Sequence, residues 1–447
     1  LAGARRVHVR GRARMMANEQ RRRCKHPPEN RLMNRRVSVR HRVGIPASVC
    51  VARAGLIALS GLWLAGGVAL AQPAAPSLPS IGGGAGATAA AGPTLPTTIK
   101  NAPNAAAFIP QIQQFIQGQL QQLGGEDAAA QKAARERLIN ECTPGSTQSF
   151  FDVYAQVLSQ EIQNLLKQPA GKSLRARLAM AVIVERVATV GKTTKVEPAV
   201  IDLINDPLEP VAIKAMQAAK PVLELVYQTP AQIAADKLVM AIKPAVTKHA
   251  KPAFPNDEAP GYLIADAYDA LMPEASPTLK ADQVTAAMPF VLDPILDLLD
   301  FRIQLYTASI PPQPSAESRL PTFFSRSYGG ANPKQQLRIV QSLVNLIEVA
   351  GQQAQNATKA QLQELIPVLK YAAGTLIVTS PNQPAVQTVL APIGQLNVNT
   401  PGPQVAQKTK GVFAAMQLQF KDLKAPPPVT LAAPTTAAAP TTAAPTH

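Results

Sequence analysis

Cysteine and histidine are scarce in this chain of 447 residues, which holds three of the first and five of the second. Cys24, Cys50 and three of the histidines lie within the first 71 residues. Only Cys142, His249 and His447 follow them. No disulfide can therefore form within residues 72–447, and no Cys/His zinc site can be built there. A serine or cysteine nucleophile with a histidine base would have to depend on His249.

Sequence motifs that carry catalysis or cofactor binding are also missing. There is no Gly-x-Ser-x-Gly elbow, no His-Glu-x-x-His pair and no phosphate-binding glycine loop. The glycine-rich run at 82–86 follows no apolar strand and opens no helix, so it is interpreted as linker. The sequence thus predicts no enzyme activity, no cofactor and no metal.

Aromatic residues make up only 4% of the chain, whereas prolines number 42. Trp63 is the single tryptophan. This composition predicts that a good part of the chain is not packed into a core.

Charge is unevenly distributed along the chain. Residues 1–71 contain 15 Lys and Arg against Glu19 and Glu29, whereas residues 72–447 contain 29 bases against 26 acids. The net charge of +16 therefore belongs mainly to the first 71 residues. High basicity confined in this way does not indicate a nucleic-acid-binding body, and we expect no nucleic-acid partner.

The basic segment leads into an uncharged apolar run, Ala54–Ala71, that ends in Ala-Leu-Ala. This order is typical of a secretory signal, with cleavage expected after Ala71 and translation expected to start at Met33. An uncleaved membrane anchor is the alternative, because 18 apolar residues can just span a bilayer. We therefore expect residues 1–71 to be leader and signal, and the protein to be exported, either periplasmic or secreted. The membrane would be a partner only through an uncleaved leader.

Two flanking segments have the composition of disordered chain. Residues 72–103 combine six prolines, five glycines and the single charge of Lys100. Residues 425–447 contain no Lys, Arg, Asp or Glu, and repeat the hexapeptide APTTAA. Such segments bury too little apolar surface to offset the entropy of ordering, so a linker and a tail are predicted.

Helical periodicity dominates residues 104–424, and alternating strand patterns are nearly absent. The fold class is predicted as all-α, with a domain at 104–308, a proline-rich hinge at 309–333 and a smaller helical unit at 334–424. The predicted helices are 106–122, 126–141, 147–167, 173–190, 197–204, 208–227, 230–249, 259–272, 280–307, 334–355, 358–379, 383–393 and 404–421.

One stretch within 147–227 resembles the HEAT-repeat pattern of an early proline, an Asp-containing turn and a second helix opening Val-x-x-Lys-Ala. The residues that carry the resemblance are Pro198, Leu203, Asp206, Pro207, Val211, Lys214, Ala215 and Ala219. A shift of 37 positions places Leu174 and Arg177 on Val211 and Lys214. The resemblance implies a HEAT-like α-solenoid, and an irregular helical bundle is the alternative.

Two sets of residues are candidates for partner binding. In a solenoid, Arg177 and Lys214 would form a ladder of cations about 10 Å apart that favours an acidic partner. The proline-rich hinge combines aromatic and cationic residues with a Gly-Gly dipeptide, which suits either a binding loop or a segment pinned on the helices below. Its candidate residues are Phe323, Phe324, Arg326 and Tyr328.

Several titratable residues are expected to be structural. Asp293, Asp297 and Asp300 share one helix face, where hydration or pairing with basic neighbours is expected, with hydration favoured over a cation site. His249 is expected to be solvated near a helix end, and Cys142 to be buried and inert.

The sequence therefore predicts an exported, non-catalytic scaffold that binds a protein or an envelope polymer. A carboxylate-dependent hydrolase is the alternative, and a membrane-anchored spacer is a third class. The hydrolase would use two of the residues Asp257, Glu258, Asp266, Asp269, Asp293, Asp297 and Asp300.

Overall fold

The described part of the chain, in a computed structural model, covers residues 94–168, 171, 173–251, 253, 257–380 and 383–431. The leader with its apolar run, the linker up to residue 93 and the tail beyond residue 431 lie outside it. Within the described residues there is no strand, which confirms the all-α prediction.

Helices form wherever apolar residues recur at intervals of three and four. Short 3₁₀ helices, among them Pro230–Ala235 and Pro314–Arg319, join some of the longer elements. The α-helices are α1 (Thr97–Lys100), α2 (Ile109–Leu123), α3 (Ala128–Asn140), α4 (Gln148–Leu166), α5 (Leu174–Gly191), α6 (Glu197–Ile204), α7 (Glu209–Val226), α8 (Lys237–Lys248), α9 (Ala259–Leu271), α10 (Ala281–Tyr306), α11 (Leu320–Ser327), α12 (Pro333–Gln353), α13 (Lys359–Thr379), α14 (Pro384–Gly394), α15 (Gly402–Thr409) and α16 (Val412–Gln417).

Side-chain caps fix many of the helix starts. Thr147 accepts a hydrogen bond from the Phe150 amide, Ser173 from the Ala176 amide and Asp236 from two amides of α8. Among the described residues, six prolines lie inside helices rather than between them. These are Pro221, Pro244, Pro289, Pro294, Pro367 and Pro392.

The helices stack in two layers, in a solenoid-like order of contacts. The first layer runs α2, α4, α6, α8, α10, α12, and each helix contacts the next in that series. The second runs α3, α5, α7, α9, then the 3₁₀ helix 314–319 with α11, and then α13. The apolar core lies between the layers, and α14 to α16 pack on α12 and α13 at the C-terminal end.

Hydrogen bonds between neighbouring helices have a characteristic sequence separation. A large group of them joins residues 38 to 54 positions apart, from Arg338 with Asp300 to Thr375 with Pro321. This separation is the length of one helix pair, as expected for a stack in which each pair contacts its neighbours.

Helices α5 and α7 pack side by side, but their register differs from the predicted shift of 37 positions. A shift of 35 places Ala176 on Val211 and Met180 on Ala215, and all four side chains are fully buried. In the 37-residue register, Leu174, which is 45% exposed, would match the buried Val211. The predicted equivalence of Arg177 with Lys214 is therefore wrong, while membership of the HEAT family remains a prediction.

The helical body extends further at both ends than the predicted 104–424. Leu95 and Ile99, placed in the linker by composition, are buried against the core, and the Lys100 ammonium pairs with Glu141 at 2.6 Å. At the other end, Val429 packs on the core and the Thr430 amide donates to the carbonyl of Thr307 at 2.8 Å. The few apolar residues of these two segments pack on the helical core. Composition alone predicts their disorder because it does not show that this surface is available.

The proline-rich segment 309–333 is not an open hinge. It forms the 3₁₀ helix 314–319 and α11, and its charged centre is the ion pair of Arg302 with Glu317, at 2.5 Å and almost entirely buried. The Arg302 guanidinium also donates to the carbonyls of Pro312 and Gln313, and the Tyr306 hydroxyl donates to Glu317. This network fixes the segment on α10.

Close packing against α9 holds the same segment. A side chain at Gly261 would bring its Cβ within 2.7 Å of the Gln313 Cβ and 2.9 Å of the Pro312 carbonyl oxygen. Gln313 itself has the left-handed backbone with φ of 50°, which is unfavourable for a residue other than glycine. Neighbouring contacts therefore hold the connection in a strained path.

Candidate functional site

The two predicted ladder cations are engaged within the protein. Arg177 pairs with Asp206 at 2.7 Å and donates to the Gly171 carbonyl, whereas Lys214 pairs with Glu185 at 2.6 Å. Both side chains are partly buried. They stabilise contacts between the elements of the stack rather than offering two aligned free cations.

The predicted binding loop around residue 324 divides into two faces. Phe323 and Phe324 are fully buried, with ring centroids 5.8 Å apart, and Tyr328 is half-buried against the core. Phe323 and Phe324 pin α11 on the helices below, which matches the pinned alternative, while contact of Tyr328 with a partner stays a prediction. Of the four candidate residues of this loop, only Arg326 is exposed.

The exposed side of α11 carries polar residues. Arg319, Thr322 and Arg326 follow one another at intervals of three and four, which places them on the same side of the helix. Leu320, Phe323, Phe324 and Ser327 form the opposite, buried side. The amphipathic pattern of the segment thus aims its two arginines at solvent.

Arg319, Thr322 and Arg326 line a shallow depression of about 460 Å³ on the second layer. Its other walls come from the α9–α10 connection and from Tyr371 of α13. The remaining lining residues are Met272, Glu274, Ala275 and Ser318. A second depression of about 470 Å³ shares Glu274 and Arg326 with the first, and continues toward Leu279, Val284 and Met288. We call the two together the Arg319–Arg326 groove.

Each arginine of the groove has a carboxylate partner. Arg319 donates to Asp269, and Arg326 donates to Glu274 at 2.8 Å. The carboxylates lie deeper than the guanidinium groups: side-chain exposure is 16% for Asp269 against 47% for Arg319, and 18% for Glu274 against 63% for Arg326. The pairs are formally neutral, but the surface they present outward is cationic.

Three aspartates of α10 gather around one arginine of α12. Arg338 contacts Asp293 at 3.2 Å and Asp300 at 2.9 Å, and also contacts Asp297. Burial opposes ionisation of Asp297, but hydrogen bonds and charges from Arg338 and Lys243 lower its pKa below the ordinary value. A carboxylate held ionised in this way has no proton to donate as a general acid, and pairing, rather than hydration alone, describes the cluster.

The other carboxylates proposed for a hydrolase also have structural partners. Asp257 accepts from the Ala253 and Ala259 amides, and Glu258 accepts from the Tyr262 hydroxyl. Asp266 accepts from Gln217 of α7, and Asp269 belongs to the groove. These contacts cap a helix or join neighbouring helices.

The structure differs from the expectation for His249 and agrees with it for Cys142. His249 is buried, with Nε2 at 2.9 Å from the Asp206 carbonyl oxygen, so the expected solvated position is wrong. Burial lowers its pKa despite that hydrogen bond. Cys142 is buried and free as predicted, and burial raises the pKa of its thiol to about 12.

Sequence reasoning missed Glu209 at the start of α7. One of its oxygens, Oε1, is buried without a hydrogen-bond partner among the described residues. Burial, followed by repulsion from Asp257, raises its pKa to about 7. The sequence offers no signal for this, because an acid in the first turn of a helix is ordinarily stabilised there.

Neither a protein-family model, nor a curated protein, nor a solved structure matches this chain. Within the part that the structure describes, no three His, Cys, Asp or Glu side chains are grouped to hold a metal ion. No helix in that part combines the length and the apolarity that crossing a membrane requires.

Proposed function

We propose that the protein is an exported, non-catalytic helical-repeat protein that binds a partner protein or an envelope polymer and acts as a scaffold. The observation that carries the proposal is the lateral bonding of the second layer. Glu185 of α5 pairs with Lys214 of α7, Lys214 bonds Gln217, and Gln217 bonds Asp266 of α9. The series continues from Asp269 of α9 to Arg319.

Bonding of this kind favours recognition by an extended surface. Side-chain bonds of this series join α5, α7, α9 and the 3₁₀ helix 314–319, so this part of the surface loses little conformational freedom when a partner binds. The Arg319–Arg326 groove interrupts that surface with exposed donors. Export is supported by the order of the basic segment and apolar run Ala54–Ala71, which is typical of a signal.

Capture from the envelope fraction tests the binding function. The full chain is immobilised, incubated with that fraction, treated with an amine cross-linker and analysed by mass spectrometry. We expect a saturable partner whose cross-links come from lysines of the second layer, such as Lys220 of α7 and Lys370 of α13. A heat-unfolded sample of the same chain is the control, and an identical retained set from both samples would contradict a scaffold function.

Export is tested separately by N-terminal sequencing of the chain recovered outside the cytoplasm. We expect the sequence to begin at Gln72, after the small residues Ala69 and Ala71 that a signal peptidase requires. A start upstream of Ala54 would instead show that the apolar run is kept, and would favour the membrane-anchored spacer.

A further inference from the structure

The Arg319–Arg326 groove is rich in hydrogen-bond donors that the protein itself leaves unused. A guanidinium has five N–H donors, and within the described residues each of the two arginines bonds a single carboxylate. The hydroxyls of Ser318, Thr322 and Tyr371 make no hydrogen bond there either. The groove therefore suits a ligand with several acceptors, and above all with carboxylates.

The placement of Asp269 and Glu274 prepares the arginines for such a ligand. Each carboxylate lies below its guanidinium and holds it in position, while the more exposed side of the guanidinium faces outward. Arginine can bind a second carboxylate through another pair of its N–H groups. The buried partner thus reduces the side-chain entropy that binding would otherwise cost.

Distance along the segment selects an extended ligand. Arg319 and Arg326 are seven residues apart, which corresponds to about 10 Å along a helix axis. In the polyproline II conformation an extended peptide makes one turn every three residues and rises about 9 Å in doing so, which places residues i and i+3 on the same side of the peptide. Two acidic side chains at positions i and i+3 of an extended segment would therefore reach one arginine each.

The far end of the groove favours a peptide over an anionic polymer. Beyond Arg326 the lining includes the apolar side chains of Leu279, Val284 and Met288 beside Ser276 and Thr285, and the exposed ring of Tyr371 lines the first depression. A polyanion would require a row of cations, whereas this groove offers two and then a depression of mixed polar and apolar lining. An apolar side chain two or three residues after the second acid would fit there.

We propose that the Arg319–Arg326 groove binds an extended segment of a partner protein in which two acidic residues, three positions apart, precede an apolar residue. This proposal rests on the scaffold function proposed above, and it names one site and one partner chemistry for it.

The test uses the full chain and a fluorescein-labelled peptide, AADAADALA, followed by fluorescence anisotropy at low and physiological salt. A matched peptide has asparagine at both aspartate positions, and another has the two aspartates adjacent. We expect the asparagine peptide to bind at least tenfold more weakly and the adjacent-aspartate peptide about fivefold more weakly. Equal affinity of all three peptides would overturn the proposal.

Variants on the two sides of one ion pair distinguish binding from stability. Arg326→Gln and Arg319→Gln should each weaken peptide binding about fivefold. Glu274→Gln should tighten it about twofold, because it removes a competing negative charge while its amide oxygen still accepts from Arg326 and holds it in position. If the Arg326–Glu274 ion pair acted only in folding, Arg326→Gln and Glu274→Gln would change the peptide affinity in the same direction, and that result would overturn the proposal. Arg175→Gln, on the exposed side of α5, is the matched control and should change nothing.

Two further outcomes separate the possible ligands and the two proposals. Polyphosphate should fail to displace the peptide at equal anion concentration, which would support the choice of a peptide, whereas displacement independent of Arg319 and Arg326 would overturn the proposed site. Polyphosphate that required both arginines and bound more tightly than the peptide would overturn the choice of a peptide. If the Arg319→Gln/Arg326→Gln double variant, with unchanged circular dichroism, still captured the envelope partner, the scaffold function would stand and the groove would not.

Discussion

Helix α10 takes part in two arginine–carboxylate clusters that differ mainly in their exposure to water. Toward its C-terminal end, Arg302 and Glu317 form an ion pair from which solvent is nearly excluded. In the preceding turns, Asp293, Asp297 and Asp300 share Arg338 at the surface. The same pair of functional groups thus serves two purposes. The buried pair determines the path of a connection, whereas the exposed cluster adds a modest contact between α10 and α12.

The difference is visible in the ionisation of the two sites. Burial raises the pKa of Glu317, although the charge and hydrogen bonds of Arg302 and the hydrogen bond from the Tyr306 hydroxyl oppose that change. At the surface, burial also raises the pKa of Asp297, but hydrogen bonds and charges from Arg338 and Lys243 together lower it below the ordinary value. An arginine therefore compensates a desolvated acid at one site and stabilises an already hydrated acid at the other.

The largest expected effect is that of breaking the buried pair. Glu317→Ala should lower the free energy of unfolding by about 4 kcal/mol, because it leaves the Arg302 charge buried without a partner. Urea denaturation followed by circular dichroism measures this loss. The double variant Arg302→Met/Glu317→Leu removes both charges and should recover most of it. A loss below about 1 kcal/mol for Glu317→Ala would show that burial does not distinguish the two clusters.

A second variant measures how much apolar packing stabilises the segment 309–333 that contains α11. Phe323→Ala should cost about 3 kcal/mol, because it removes a fully buried ring from α11 and leaves a cavity. Thr322→Ala, one residue away on the exposed face, should change stability by less than about 0.5 kcal/mol. Equal effects of the two substitutions would contradict the assignment of buried and exposed faces of α11.

Glu209 lies between the two extremes, since one of its oxygens is buried and lacks a partner. Its folded-state pKa of about 7 lies above the ordinary value of 4.5, so the folded protein binds an extra proton between these values. Stability should accordingly fall as the pH rises from about 4.5 through 7. Glu209→Gln should stabilise the protein at pH 8 by about 1 kcal/mol, after allowance for solvent screening, and should have no effect at pH 4. Thermal melting at the two pH values measures the difference, and equal stabilisation at both would contradict it.

The smallest effect is expected at the exposed cluster. Arg338→Gln should lower the free energy of unfolding by about 0.5 kcal/mol at low salt, and by almost nothing in 1 M sodium chloride. Chemical denaturation at the two salt concentrations tests this expectation. A loss comparable with that of Glu317→Ala, or one unaffected by salt, would show that the exposed cluster and the buried pair contribute alike to stability.

The positions of most helices could be predicted from the sequence because local signals define them. The predicted bounds of α6, residues 197–204, are those observed, and the predicted helix 147–167 is observed as α4 with Thr147 as its cap. The helix α11 was missed because Pro321 was interpreted as part of a break. At the second position of a helix, however, proline loses no intrahelical hydrogen bond.

The site was harder to predict because its properties depend on distant residues. Nothing near Arg326 in the sequence indicates that Glu274, 52 positions earlier, lies beneath it. Likewise, the shift between α5 and α7 was wrong by two residues, since runs of small apolar residues around Ala215 fit several registers equally well. Burial, which only the packed structure provides, selects among them.

The short sequence separation of the inter-helix bonds affects how the protein resists mechanical force. Tension applied at two ends of the stack passes through successive helix interfaces in series, because each helix pair is bonded chiefly to its immediate neighbours. The C-terminal end is an exception, since Gln341 and Gln353 bond residues 83 and 77 positions further on. Those bonds fix the chain that follows α16 to α12. Under a constant force the stack should therefore extend in steps, in which helix pairs unfold from the N-terminal side while the C-terminal end stays folded.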